Sequence, residues 1–254
     1  MLMKTLKIAG AVMLLALGGC MTTMDQPRRA VDSEAALDAY IQLGLGYLQE
    51  GETERAKAPL SEALKIDPRS SSANIALALV FQQEGEYDSA EKHFRAALAS
   101  EPDNPRVLNN FGAFLLERER YDESLQYLQR AAENRLYGER SRVFENLGLA
   151  YQRKGNREAA KQHFERSLRL NSRQPMALLE LARLEFEDQN YVPAWDHYRR
   201  FAQLSGQDAS SLWLGIQLAR RFEDHSRAAS YALQLRRFYP ASPEAQALQA
   251  SETR

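Results

Sequence analysis

Cys20 is the only cysteine among 254 residues. It closes an apolar run at residues 8–17, after the small residues Gly18 and Gly19. A lone thiol has no partner for an intrachain disulfide, so a use other than cross-linking is expected of it. Three of the four histidines, His93, His163 and His197, each directly precede an aromatic residue: Phe94, Phe164 and Tyr198. A metal site would need such histidines to converge within about 2 Å of one ion. No stretch reads as a phosphate loop, a zincin helix or a nucleophile elbow, and no serine sits in a Gly-x-Ser-x-Gly setting. No catalytic residue, metal or cofactor is therefore expected, and function is sought in surface recognition.

The residues around Cys20 have a three-part order. Lys4 and Lys7 form a short positive region, residues 8–17 are almost wholly apolar, and Gly18 and Gly19 precede the cysteine. This is the layout of a secretory signal peptide. The apolar run is about half the roughly 20 residues that a transmembrane helix needs. Leu17-Gly18-Gly19-Cys20 resembles the lipobox of bacterial lipoproteins. The resemblance implies removal of residues 1–19, S-diacylglycerol and N-acyl chains on Cys20, and Met21 rather than Asp after it points to sorting to the outer membrane. Each buried methylene contributes about 0.8 kcal/mol, so three chains anchor where one holds only marginally. An ordinary leader with a cysteine at its cleavage site is the alternative.

Residues 20–36 read as the lipidated N-terminus and a polar tether, reaching very roughly 22 Å as a flexible coil. Removing residues 1–19 takes away Lys4 and Lys7 and moves the formal net charge from −1 to −3, which is not the balance of a nucleic-acid binder. Arg-Arg pairs at 28–29, 199–200, 220–221 and 236–237 are interspersed with acidic residues and read as solvated helix faces.

Whatever positions these residues must be built from a repeat. Residues 38–70 and 72–104 align in register at a spacing of 34: Leu43 with Leu77, Gly44 with Ala78, Tyr47 with Phe81, Gly51 with Gly85, Ala56 with Ala90, Ala63 with Ala97, Pro68 with Pro102. That period is the signature of the tetratricopeptide repeat. The expected fold is all-α, a right-handed superhelical solenoid of about six antiparallel helix pairs over 37–240. The repeats fall at about 37–70, 71–104, 105–138, 141–174, 175–207 and 208–241, with two extra residues near Gly138 and a short tail at 242–254. Within this frame a small residue at position 8 (Gly44, Ala78, Gly112, Gly148, Ala182, Gly215) lets the two helices approach. Large residues at positions 7, 11 and 24 fill the gaps between neighbours. Gly51, Gly85 and Gly155 fall where the first helix ends in a left-handed turn. His93, His163 and His197 all take position 23, on repeats about 10 Å apart, too far to share a metal. The sixth repeat fits only if one residue is inserted before Ala228.

In this family positions 2, 5, 9, 12 and 13 of each first helix point into the concave face. Ile41, Leu45, Leu48, Ile75, Leu79 and Leu116 then form an apolar stripe with no core duty, and a stripe of that kind marks a partner site. Cover by another helix of the same chain, such as the segment before Ala36, is the alternative. The same slots exclude the Lys/Asn/Arg clamp of repeat proteins that hold chaperone C-termini.

The leader, the lipobox, Met21, the tether and six repeats together resemble the pilotin lipoproteins of type IV pilus systems (the PilF/PilW type) over essentially the whole length. The resemblance implies a non-enzymatic, lipid-anchored protein on the periplasmic face of the outer membrane. Its partners would be the type IV pilus secretin subunit, whose localisation and multimerisation it promotes for pilus biogenesis and twitching motility, and the lipoprotein sorting machinery. A repeat lipoprotein serving β-barrel assembly or cell-wall enzymes is the alternative.

Overall fold

The computed structural model describes residues 25–252, so the leader and Cys20 lie outside the described residues. Six antiparallel helix pairs follow one another: α1 (Asp25–Gln49) with α2 (Thr53–Ile66), α3 (Ser71–Gln83) with α4 (Tyr87–Ser100), α5 (Pro105–Glu117) with α6 (Tyr121–Glu133), α7 (Arg140–Arg153) with α8 (Arg157–Leu170), α9 (Pro175–Glu187) with α10 (Tyr191–Leu204), and α11 (Ala209–Arg221) with α12 (His225–Phe238). A thirteenth helix, α13 (Pro243–Glu252), closes the array. None of the described helices is long and apolar enough to cross a membrane.

The fold is the expected right-handed superhelical solenoid. Each first helix approaches the first helix of the next pair closely, whereas adjacent second helices stand farther apart. The first helices therefore form the tighter, inner layer and the second helices the splayed, outer one. No helix contacts any element beyond the neighbouring pair, which is the quasi-one-dimensional packing of a repeat array.

Close approach within a pair depends on position 8. A Cβ added to Gly44, Gly112 or Gly148 would lie 2.4 Å from Leu60, 2.7 Å from Leu128 and 2.6 Å from the Phe164 ring. Each pair ends its first helix in the same way. The amide at position 16 donates to the carbonyl at position 11, from Glu52 to Tyr47 (2.9 Å), Arg120 to Leu115 (2.9 Å) and Asp224 to Ala219 (2.9 Å) among others. The residue before it takes positive φ in all six: Gly51, Gly85 and Gly155 at 77°, and Glu119, Gln189 and Glu223 at 60°, 64° and 57°.

Three sequence expectations change. Residues 25–36, read as tether, are helical and continue α1; no glycine or proline interrupts residues 28–43, and Glu34, Ala35, Ala36 and Leu37 favour helix. The tail is α13, whose Ala245 and Leu248 are buried against Leu212, Ile216 and Leu235. The sixth repeat starts at 209, with no insertion inside it: Gln189 and Glu223, and likewise Ala194 and Ala228, stand 34 residues apart. Gly215 is thus at position 7, not 8, and its missing side chain makes room for Tyr198 of the preceding repeat, whose hydroxyl would lie 2.1 Å from an added Cβ.

Candidate partner-binding surface

The expected stripe is not an open face. Ile41 is 5% exposed and packs with Ala63 and Ala73. Ile75 is 4% exposed and belongs to the cluster of Phe94, Val107 and Phe111. Leu45 and Leu48 are half-buried against the cluster of Leu60, Leu77 and Val80, Leu79 against that of Ile75, and Leu116 against that of Leu128 and Leu147. The cause is the contact between successive first helices: positions 5 and 9 fall into the seam between them. The stripe has core duty, and what covers it is the adjacent repeat rather than the segment before Ala36.

Polar groups on the inner layer are paired in the same way, each to the next repeat. The Arg106 guanidinium donates to Ser72 Oγ (2.8 Å), Asn146 Nδ2 to Asn109 Oδ1 (3.0 Å), Gln152 Nε2 to Glu180 Oε2 (2.9 Å) and Gln174 Nε2 to Ser141 Oγ (2.9 Å). Glu145, at position 5, is held above the usual carboxylate range by burial, partly offset by the Ala177 amide that donates to it.

Within the first repeat, exposed apolar area lies instead on the side of α1 that faces away from α3. Position 7 is shielded by the preceding repeat in Leu77, Phe111, Leu147 and Leu181, but Leu43 is 48% exposed and Tyr40, one turn before it, 36%. Among the described residues no pair precedes α1. Tyr47, the next residue along that side, is covered by the Arg55 guanidinium, which stacks on its ring and donates to its hydroxyl at 3.0 Å. The signal for this surface was in the sequence: the first repeat of an array has no neighbour on one side.

The position-23 histidines each stay in their own repeat. His93 stacks on Phe81 and shares a hydrogen bond with Asn74 Oδ1 at 2.9 Å, and His163 stacks on Tyr151 and Phe144. Burial lowers the proton affinity of all three, aided by Lys92, Arg166 and Arg200 in turn. Among the described residues no three His, Cys, Asp or Glu side chains group as metal ligands.

Known proteins place this architecture. Tetratricopeptide-repeat models match residues 37–70, 71–114, 103–173 and 146–209. The type IV pilus assembly protein PilF of Pseudomonas aeruginosa is 54% identical over 248 residues, spanning 96% of this chain and 98% of that protein. The chain belongs to the PilF family. The solved structure of P. aeruginosa PilF matches with a TM-score of 0.82 at 55% identity, over 87% of this chain and 99% of that one. That of PilW, a widely conserved type IV pilus biogenesis factor, matches at 0.74 with 28% identity, over 84% and 98%. PilF-family likeness thus extends through all six helix pairs and is not confined to a generic repeat.

Proposed function

We propose that this protein is a non-enzymatic, lipid-anchored factor of type IV pilus assembly that binds secretin subunits and promotes their localisation and multimerisation in the outer membrane. The observation that carries the reading is 54% identity to P. aeruginosa PilF across nearly both whole chains. The lipobox-like residues 17–20 followed by Met21 support anchoring through Cys20 and outer-membrane sorting. The partner's apolar side chains would meet Tyr40 and Leu43 on α1.

The test is a paired fractionation of wild type and Cys20→Ala, blotted for this protein and for secretin multimers. The reading expects the variant to leave the outer membrane and multimers to be lost or mislocated with it. Unchanged secretin assembly around a mislocated protein would overturn it. For the surface, Tyr40→Ser/Leu43→Asp is informative because both positions are exposed. Multimers should fall at least several-fold while the protein keeps wild-type helicity; Ile41→Asp would only break the core.

A further inference from the structure

The two extra residues near Gly138 make the α6–α7 connection, residues 134–139, longer than the four-residue links at 101–104 and 171–174. It is an ordered loop. Asn134 Oδ1 accepts from the Leu136 amide at 3.1 Å, and the Tyr137 amide donates back to the Asn134 carbonyl at 3.3 Å. Tyr137 is partly buried against the core of Leu128 and Leu147. This anchoring holds Leu136 out at 96% exposure and places Arg135 at the mouth of a groove of about 720 Å³ on the outer layer, between α6 and α8.

Ala132 and the buried Phe144 and Leu147 form the floor of this groove, and Arg135, Arg140 and Arg166 give it charge. The Arg140 and Arg166 guanidiniums converge on one ring, 5.3 and 4.3 Å from the Phe144 centroid. Two like charges on one ring repel, and no carboxylate among the described residues lies within ion-pair distance of any of the three. Glu133 and His163 also face the groove, but Glu133 is not paired to any of the arginines, and burial keeps His163 from taking a proton readily. Arg140 donates to the Ala132 carbonyl at 2.8 Å; burial, then Arg166 and Arg135, lower its proton affinity. Several arginines elsewhere on the array are matched, Arg95 and Arg120 with Glu91, Arg130 with Asp103, Arg157 with Glu187 and Asp188, and others, such as Arg118 and Arg221, lie singly over an aromatic ring. Here three arginines without an ion-pair partner meet in one groove.

We propose that this groove is a docking site for an acidic, leucine-containing segment of a protein partner, whose carboxylates bridge Arg135, Arg140 and Arg166 and whose apolar side chain lies on the exposed Leu136. Forked guanidiniums suit carboxylates, since each can donate two parallel hydrogen bonds, and the exposed Leu136 next to Arg135 distinguishes a peptide from a bare anion. The site is on the outer layer, away from α1, and does not depend on the pilus reading.

The full-length protein would be titrated into a fluorescein-labelled, amidated nonapeptide of three Glu-Glu-Leu units. Saturable binding is expected, at least tenfold weaker in Arg135→Ala/Arg166→Ala and several-fold weaker in Leu136→Ala. Both variants keep wild-type circular dichroism because the altered side chains are exposed. A peptide with Gln for Glu should not bind. Arg199→Ala/Arg200→Ala, which removes the same charge elsewhere, should bind as wild type. The proposal is overturned if wild type does not bind the peptide, or if the two double variants lose binding equally. It also fails if millimolar inorganic phosphate alone displaces the peptide. It fails equally if phosphatidylglycerol vesicles, and not the peptide, are the ligand that depends on Arg135 and Arg166.

Discussion

Glu119, Gln189 and Glu223 hold a backbone conformation that the other three repeats give to glycine. A side chain in the left-handed region meets its own following carbonyl, at a cost of about 1–2 kcal/mol. Glycine removes that cost and returns part of it as extra freedom in the unfolded chain. Glu119→Gly and Gln189→Gly should therefore each stabilise the protein by roughly 0.5–1 kcal/mol, read as a higher urea midpoint at unchanged slope. Gly85→Ala should lose about 1 kcal/mol through backbone strain alone, since nothing lies within 4 Å of the added Cβ. Gly148→Ala should lose more, about 1–3 kcal/mol, because the Phe164 ring already fills that space. Equal effects at Gly85 and Gly148 would mean that packing at position 8 is looser than these distances say. Single residues also explain why the sequence is readable in some repeats and opaque in others. A glycine at position 15 announces the turn. Glutamate or glutamine there hides it, although the hydrogen bond from position 16 to position 11 is the same.

At the scale of elements, α13 does for the last pair what a seventh repeat would do. It packs on both α11 and α12 and buries Ala245 and Leu248 over Leu212, Ile216 and Leu235. Repeat arrays need such a cap because no pair can bury its own apolar face. Leu248→Ala should cost about 2–4 kcal/mol locally, and exchange of α11 and α12 amides should rise while that of α5 and α6 stays as in wild type. Period and helix-pair register were legible for five repeats from recurring small and aromatic residues. The register of the sixth is hidden because Gly215 mimics the position-8 glycine while serving the neighbouring Tyr198. The cap is not legible because a ten-residue helix with two buried side chains carries too little periodicity. The burial of the apolar stripe escapes the sequence for a different reason. Exposure of positions 5 and 9 depends on how closely successive first helices approach, and that spacing is a property of the pair of repeats, absent from either one's sequence.

Over the whole molecule, every contact runs to the same or the adjacent pair, and charged side chains clamp that register. Lys57 reaches Glu84 at 2.8 Å, Arg120 reaches Glu91 at 2.8 Å, and Lys161 reaches Glu185 at 2.8 Å and Asp188 at 2.5 Å. In each case a residue at position 21 ties its repeat to the next pair. Stability in such an array is a sum of repeat and interface contributions, so disturbance should fade with distance along it. Leu128 tests this. It is fully buried where α5, α6 and α7 meet, under Gly112 and against Phe144 and Leu147. Leu128→Ala should cost about 2–5 kcal/mol, yet that cost should appear as faster amide exchange in α5 to α8 with α11 to α13 unchanged. If protection fell equally in every helix, the chain would unfold as one cooperative unit, and the ends could not open independently. Independent ends are what the proposed grip on α1 requires. A partner bound at Tyr40 and Leu43 would then stabilise the first pairs directly and the sixth hardly at all, and the same exchange measurement with partner present would show it.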